Sequence, residues 1–430
     1  MRHSVATGQK PDPDGGPEQA ERWLARTGRV LRNPGFRRYY IAQTFSLSGT
    51  WMQFTGQIWL VMKVLAPGDA RMLGVTAALQ SAPIVLTLWG GSLADGRDKR
   101  RLLIVTQSLS GALALVLGLS VLTHHVSLPF VWFCAVALGL VNAADAPARQ
   151  AIIPELVGVA DVPNAVALNS ASYQATRAFG VALAPLAVGL WGLSAPFLLN
   201  CVSFAGVIWA LTHLGPARFG TTGPLKGRGR PPIREGLAAI RASAGLLGPV
   251  AALFLVALFA LNFNVTLPVL ATTDLKGGLG EVSALLTASS VGAVGASLVL
   301  AGLTGPKDRL AVAAMTALAA AMVALALCRQ SWLACVIMVP LGASIAATTA
   351  TVNTLLQQRS DPGMRGRITA VYSLIMQGSA LLGGPLVGLL CQPGLGGAPG
   401  GLLLGAGAAL LGALVLGRLS ARVAPLGNGA

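Results

Sequence analysis

Residues 368–417 read ITAVYSLIMQGSALLGGPLVGLLCQPGLGGAPGGLLLGAGAALLGALVLG, a stretch of 50 residues without a single Asp, Glu, Lys or Arg. A membrane-spanning helix needs about 20 predominantly apolar residues. The stretch is therefore long enough for two such helices, and the turn-forming residues between Gln392 and Gly400 can connect them. This pattern predicts a helical hairpin that is solvated by lipid.

The composition of the whole chain supports the same environment. Of its 430 residues, 11% are charged and 54% are hydrophobic, whereas soluble globular chains carry about 25% charged residues. So few charges cannot cover a water-facing surface of this size, which excludes soluble enzymes, fibrous proteins and disordered chains. The five cysteines are odd in number and lack a CxxC spacing, so they predict neither a disulfide framework nor a thiolate metal site.

Other charge-poor stretches extend the pattern along the chain. Single predicted spans fit in residues 39–62, 72–94, 242–273, 282–306, 310–328 and 330–358, and pairs fit in 102–144, 164–214 and 368–417. We therefore predict an all-α membrane protein with twelve transmembrane helices in two pseudo-symmetric six-helix bundles. The predicted order is a disordered tail at 1–33, a bundle at 34–214, a central loop at 215–246, a second bundle at 247–420 and a tail at 421–430.

The basic residues predict the orientation of these spans. Of the 31 Lys and Arg residues, 26 fall on the side that carries both termini and the central loop. Under the positive-inside rule this side is cytoplasmic. Because the cations are scattered over short loops without an aromatic platform, they do not predict nucleic-acid binding. No cleavable signal peptide is visible, so we expect the first span itself to direct insertion.

The two predicted bundles repeat each other in sequence. GSLADGRDK at 91–99 aligns with AGLTGPKDR at 301–309, and GVALAPLAVG at 180–189 aligns with ALLGGPLVG at 380–388. A parallel duplication of a six-helix unit is the plan of alternating-access transporters, in which two similar bundles rock about a site held between them.

These repeated segments carry a family resemblance. Residues 91–101 resemble the loop 2–3 signature of the major facilitator superfamily, and residues 180–189 are similar to its antiporter motif. The segments 32–38 and 145–150, with Arg177, resemble the branch that includes enterobactin exporters and related bacterial efflux proteins. The resemblance covers residues 30–420 and implies the fold of that superfamily.

The resemblance also implies two functional motifs. One is a gating loop, formed by Gly91, Leu93, Asp95, Arg97, Lys99, Arg100 and Arg101. The other is an antiporter-like motif at Gly180, Ala184, Pro185 and Gly189. Asp95 either latches onto a helix end of the opposite bundle or belongs to a basic loop that only sets topology. The chain departs from the two patterns at Gly96, Asp98, Ala184 and Val188.

Three charged residues form a candidate coupling cluster within the predicted spans: Asp145, Arg149 and Arg177. Intramembrane charges are costly, and they usually pair or act. Asp145 and Arg149 are one helical turn apart, so they are either a protonatable switch or a permanent ion pair. Arg177 keeps its charge and needs an anion, which is Asp145, a substrate, or each in turn. Alternatively, Arg177 shares a helix-contact face with Gly180 and Ala184.

The first predicted span carries a polar stripe, at Gln43, Ser46, Thr50, Gln53 and Gln57. Spacings of three and four residues place these side chains on one helix face. The stripe faces either a water-filled substrate path or hydrogen-bonding neighbour helices. Further candidate path residues are isolated polar or aromatic positions: Tyr173, Asn262, Asn264, Ser344, Thr348, Thr351, Tyr372 and Gln377.

Together these patterns predict a secondary transporter in the bacterial inner membrane. The resemblance implies export of small organic molecules such as siderophores or drugs, driven by proton entry, with the chain acting as a monomer. An uptake symporter and a non-transporting sensor are the alternatives. We expect no cofactor and no metal. The chain lacks a GxxxxGK[ST] phosphate loop, so we expect no use of ATP, and no nucleophile and base predict an enzyme.

Overall fold

The computed structural model of the chain describes residues 30–83, 98–158, 161–214, 233–302, 307–361 and 363–423. Every regular element in this part of the chain is helical. The first half contains α1 (Pro34–Trp59), α2 (Ala70–Ser81), α3 (Lys99–Leu122), α4 (Leu128–Val157), α5 (Val162–Trp191) and α6 (Ala195–Thr212). The second half contains α7 (Ile233–Ala242), α8 (Ala244–Leu255), α9 (Phe263–Val269), α10 (Leu279–Gly302), α11 (Lys307–Leu327), α12 (Ser331–Gln358), α13 (Arg365–Leu390) and α14 (Gly397–Val423).

Short polar side chains begin several of these helices. The Asn33 carboxamide oxygen accepts from the backbone N–H groups of Gly35 and Phe36 at 3.0 and 3.3 Å, which caps α1. The Asp98 carboxylate accepts from the N–H groups of Arg100 and Arg101 at 2.9 and 3.3 Å. Asp98, a departure from the superfamily signature, therefore serves as the cap of α3.

The seventh predicted span is a broken helix. A π-helical turn at Val256–Ala260 separates α8 from α9, and a second one at Leu270–Asp274 follows α9. Asn262 lies at the break and donates its side-chain N–H groups to the carbonyls of Ala257 and Leu258, at 3.1 and 2.9 Å. The side chain thus satisfies backbone acceptors that an uninterrupted helix would pair, as an apolar setting requires.

The helix contacts repeat between the two halves. In the first half α6 packs against α1 and α3, and α4 packs against α2 and α3. In the second half α14 packs against α8 and α11, and α12 packs against α10 and α11. Equivalent helices therefore make equivalent contacts, as the repeated sequence segments predict.

The segment between the halves contains an additional helix. The structure describes this segment from residue 233 onward, where α7 packs against α13 and α8. The Glu235 carboxylate pairs with the Arg367 guanidinium at 2.8 Å, and Ile240 is buried. The segment predicted as a central loop thus includes a helix that is attached to the second half.

Nine helices in the described ranges are long and apolar enough to cross a bilayer. They span Lys99–Leu122, Leu128–Val157, Ala195–Thr212, Gly245–Asp274, Leu279–Leu300, Lys307–Leu327, Ser331–Gln358, Arg365–Leu390 and Gly397–Ala421. The other three predicted spans correspond to α1, α2 and α5. Polar candidate residues are concentrated on α1 and α5, and residues 84–97, which follow α2, lie outside the described ranges. A total of twelve spans therefore stays a prediction.

The two halves meet along two pairs of helices, α2 with α13 and α5 with α10. Where α2 crosses α13 the contact is backbone to backbone, because a Cβ atom added at Gly74 would collide with the carbonyl of Gly384. A Cβ atom added at Gly388 would likewise press on the carbonyl of Ala70. Small residues permit this close approach of two helices in an apolar environment.

We expect Gly74→Ala to separate the halves at this crossing, because overpacking costs about 1–3 kcal/mol. The arrangement in which α2 and α13 are in contact should become at least about fivefold less populated. The measurement is the initial rate of disulfide formation between cysteines placed at Asp69 and Gln392, in protein whose five native cysteines are replaced. Gly378→Ala on α13 is the matched control, since its added Cβ would meet only Leu374 at 3.8 Å. Equal rates in both variants would contradict the packing described.

Candidate functional site

Arg177 of α5 lies where the two halves face each other. Its guanidinium carbon is 5.2 Å from the ring centroid of Trp51 on α1 and 5.6 Å from that of Phe263, the first residue of α9. The Trp51 ring also makes edge contacts with Tyr173 and Phe54, with centroids 5.7 and 5.6 Å apart. We call these five residues the Arg177 cluster. Because Phe263 belongs to the second half, the cluster joins both halves.

The Arg177 guanidinium has aromatic rings as neighbours but no anion. Among the described residues it makes no hydrogen bond and no ion pair, although its side chain is half-buried. In a cation–π contact the cation lies over the face of an aromatic ring, and each contact is worth about 0.5–2 kcal/mol. The N–H donors of Arg177 therefore have no hydrogen-bond partner among the described residues.

Asp145 of α4 is engaged elsewhere. Its carboxylate is 2% exposed and accepts from Thr106 Oγ1 at 2.7 Å and from Gln107 Nε2 at 2.8 Å, both on α3. It also pairs with the Arg149 guanidinium one turn further along α4. The structure thus pairs two of the three predicted charged residues and shows no ion pair between Asp145 and Arg177.

Tyr39 is a neighbour of this ion pair that the sequence analysis missed. Its hydroxyl is enclosed and has no hydrogen-bond partner among the described residues, and Asp145 and Arg149 are close enough to act on it electrostatically. Tyr39 precedes Gln43 by four residues, so the spacing of the polar stripe on α1 already contained this signal.

The stripe on α1 is divided between two environments. Gln43, Ser46 and Gln53 are buried, and the Gln53 carboxamide oxygen accepts from Asn200 Nδ2 of α6 at 2.7 Å. For this part of the stripe the structure shows a helix contact and not an open path. Thr50 is exposed and Gln57 lines a small cavity between the halves, so a role in the path stays a prediction for these two.

That cavity has a volume of about 30 Å³ and takes side chains from both halves. Phe54, Gln57 and Gln80 line it from the first half, and Asn264 lines it from the second. The Asn264 carboxamide oxygen is enclosed there without a partner in the described part of the chain. Asn262, in contrast, donates its amide N–H to the Leu258 carbonyl at the break between α8 and α9. Of the two candidate asparagines, Asn264 is therefore the one that faces the site.

The remaining polar candidates are spread over α12 and α13. The Ser344 and Thr351 hydroxyls donate to carbonyls of their own helix, while Thr348 is fully buried and its hydroxyl has no described partner. Tyr372 donates to the Thr349 carbonyl at 3.3 Å, and Gln377 is exposed. Of these contacts, the one from Tyr372 joins α13 to α12, and the described contacts do not bring the five residues into a shared site.

Four of the seven predicted gating-loop residues lie outside the described residues: Gly91, Leu93, Asp95 and Arg97. The other three are described, and their printed contacts lie within the first half. Lys99 pairs with Glu155, Arg100 donates to the Thr212 carbonyl at 2.6 Å, and Arg101 lies 3.5 Å from Asp98. They attach the start of α3 to the ends of α4 and α6.

The antiporter-like run places α5 against α1. A Cβ atom added at Gly180 would collide with the Ser48 carbonyl and press on Trp51. Ala184 is completely buried, Pro185 lies inside the helix, and Gly189 has open space around it. Gly180 follows Arg177 by one turn, so this close approach is what brings the guanidinium next to the Trp51 ring.

A polar contact joins the halves at one end of the molecule. We call this the first-loop end, after the first connection, at 66–69. The connections at 123–127, 192–194, 275–278, 328–330 and 391–396 lie at the same end. Asp69, which caps α2, accepts from Gln392 Nε2 of the second half at 2.7 Å. The same carboxylate takes two side-chain hydrogen bonds from Arg71, at 3.0 and 2.9 Å.

The hydrogen bonds from Arg71 lower the pKa of the Asp69 carboxyl below its usual value. A lowered pKa keeps the carboxylate ionised at every pH above its ordinary value, and the contact weakens only as the pH falls through the lowered value. The Asp69 carboxylate therefore stays ionised, as an acceptor for Gln392, across the neutral range.

Comparison with known proteins agrees with this architecture. A family model described as transmembrane secretion effector matches residues 28–425. The staphyloferrin A transporter of Staphylococcus aureus (strain NCTC 8325 / PS 47) is 28% identical over 172 residues. That match covers 39% of this chain and 42% of the relative, so the chain spans less than half of the length of that transporter.

Two solved structures show the same fold at low sequence identity. The nucleoside transporter NupG superposes with a TM-score of 0.69 at 11% identity, covering 89% of this chain and 98% of that one. A bacterial homolog of the human lysosomal transporter Spinster, in an inward-facing and unoccupied conformation, gives a TM-score of 0.63 at 13% identity, covering 92% and 96%. With a family model that matches nearly its whole length, the chain belongs to the transmembrane secretion effector family of the major facilitator superfamily, whose members are multi-pass transporters.

Proposed function

We propose that this protein is a proton-coupled exporter of small organic molecules, of the siderophore or drug class, in the inner membrane of a bacterium. In this proposal it works as a monomer with twelve spans and cytoplasmic termini. The first-loop end then faces outward, and the contact between Asp69 and Gln392 closes the outer side of the substrate path.

The observation that carries the proposal is that both halves contribute residues to the Arg177 cluster. Arg177, Trp51 and Tyr173 belong to the first half and Phe263 to the second. A rocking motion of the halves therefore moves Phe263 relative to the Arg177 guanidinium. A ligand bound at the guanidinium then has different neighbours in each state. This is the requirement for alternating access about a central site.

Asp145 is the residue to which we assign proton coupling. Its carboxylate is buried and is held by Thr106, Gln107 and Arg149. Protonation removes the negative charge, so Arg149 loses its partner while the two neutral donors remain. The helix pair α3 and α4 thereby gains two states that depend on proton occupancy. The alternative is that Asp145 and Arg149 form a permanent structural ion pair.

Export itself is supported by the antiporter-like run on α5 and by the similarity to exporters in sequence. The named relative is a siderophore transporter, which favours a siderophore-like substrate for this chain as well. An uptake symporter would accumulate substrate with the proton flow, whereas an exporter would extrude it against that flow. A sensor on the same fold would move no substrate in either direction.

Asp145→Asn should separate coupling from substrate movement, because it removes the charge and keeps the shape. In proteoliposomes we expect the variant to equilibrate staphyloferrin A, or another transported siderophore, down its gradient. We expect it to lose the accumulation that an imposed pH gradient drives in the wild type. Asp361→Asn is the control, since that carboxylate is exposed at the end of α12. Full pH-driven accumulation by Asp145→Asn would make Asp145 a structural residue.

The division of the α1 stripe predicts a labelling pattern. Cysteines placed singly at Thr50 and Gln57 should react several times faster with a small water-soluble thiol reagent than cysteines at Ser46 and Gln53, which are enclosed by helix contacts. The test uses protein in which the five native cysteines are replaced. If the cysteines at the Gln53 and Thr50 positions react at the same rate, α1 does not face the path in the way proposed.

A further inference from the structure

The Arg177 cluster combines two features that together specify a ligand. The first is a half-buried permanent cation with unused donors. The second is the set of aromatic rings beside the guanidinium, whose carbon lies 5.2 Å from the Trp51 centroid and 5.6 Å from the Phe263 centroid. An anion that pairs with Arg177 must therefore approach its N–H donors between aromatic neighbours.

A carboxylate fits that approach better than a spherical anion. Its two oxygens match two parallel N–H groups of the guanidinium edge, and this planar geometry adds direction as well as energy. Among the described residues no carboxylate forms an ion pair with Arg177, and Asp145 is held by Arg149, Thr106 and Gln107. The cation is thus available to a bound molecule.

The surroundings indicate what the rest of that molecule is. Phe54 touches Trp51 and also lines the small cavity between the halves. Asn264, which follows Phe263, lines the same cavity and has a buried carboxamide oxygen without a partner in the described ranges, and Gln57 lines the cavity from α1. Aromatic walls favour a flat apolar body, and neutral amides can complete its polar contacts without adding charge.

We propose that the Arg177 cluster is the binding site for organic monoanions in which a carboxylate is attached to a flat, aromatic body. The carboxylate lies on the edge of the Arg177 guanidinium, and the body lies against Trp51, Phe54 and Phe263. The amide of Asn264 serves as a hydrogen-bonding partner from the opposite half. This inference rests on the proposed transport function for the location of the site and adds the class of substrate.

The test is direct binding to the purified protein in detergent, measured by titration calorimetry with 2-naphthoate and its neutral isostere 2-naphthamide. Hydrogen bonds to a charged group are worth about 1.5–3 kcal/mol, so we expect naphthoate to bind at least tenfold more tightly than naphthamide. Equal affinities in the wild type would overturn the inference without any variant being needed.

Variants of Arg177 localise the effect. We expect Arg177→Met to bind naphthoate and naphthamide equally weakly, and Arg177→Lys to keep only a small preference for naphthoate, because an ammonium group lacks the planar pair of donors. Arg329→Met, which changes an exposed cation at the first-loop end, should leave the preference intact. Retained discrimination in a folded Arg177→Met protein would refute the assignment.

This binding assay is independent of transport. If naphthoate binds as expected and proteoliposomes show uptake instead of export, the substrate class stands and the proposed direction falls. If siderophore export is observed while naphthoate and naphthamide bind alike, the function stands and this inference falls.

Discussion

A permanent positive charge inside an apolar bundle needs an anion or water, and none of the residues that the structure describes supplies an anion to Arg177. Aromatic side chains surround it instead. Gly180 lets α5 approach α1, so that the Trp51 ring centroid lies 5.2 Å from the guanidinium carbon. The break at Asn262 ends one helix and starts another at Phe263, whose ring lies on the guanidinium from the second half.

The proposed function assigns protons and substrate to two charged sites. Asp145 and Arg149 pair with each other on α4, and hydroxyl and amide donors of α3 complete the carboxylate's hydrogen bonds. Separation of the two sites means that proton and substrate need not compete for one residue. Their coupling then has to pass through the relative position of the helices, which is a property of a two-state fold.

Much of this could be predicted from the sequence because it depends on spacing along one helix. The helical architecture, the similarity of the halves and the pairing of Asp145 with Arg149 all follow from local patterns. The partners of Arg177 and Gln53 could not be predicted in that way. The first depends on where α9 falls after the break at Asn262, and the second on a contact between α1 and α6. The additional helix α7 was missed because its ten residues lie next to a polar segment rich in Gly and Pro.

In the proposed function the two halves rock about the Arg177 cluster and open opposite ends in turn. Spin labels at Pro67 and Gly394 report the separation of the halves at the first-loop end, and labels at Thr212 and Asp361 report it at the other end. All four positions are exposed. Pulsed electron–electron double resonance measures the distance within each pair of labels. It is recorded with and without 2-naphthoate, at neutral and at acid pH. We expect one distance to grow when the other shrinks. Two distances that stay constant, or that grow together, would contradict it.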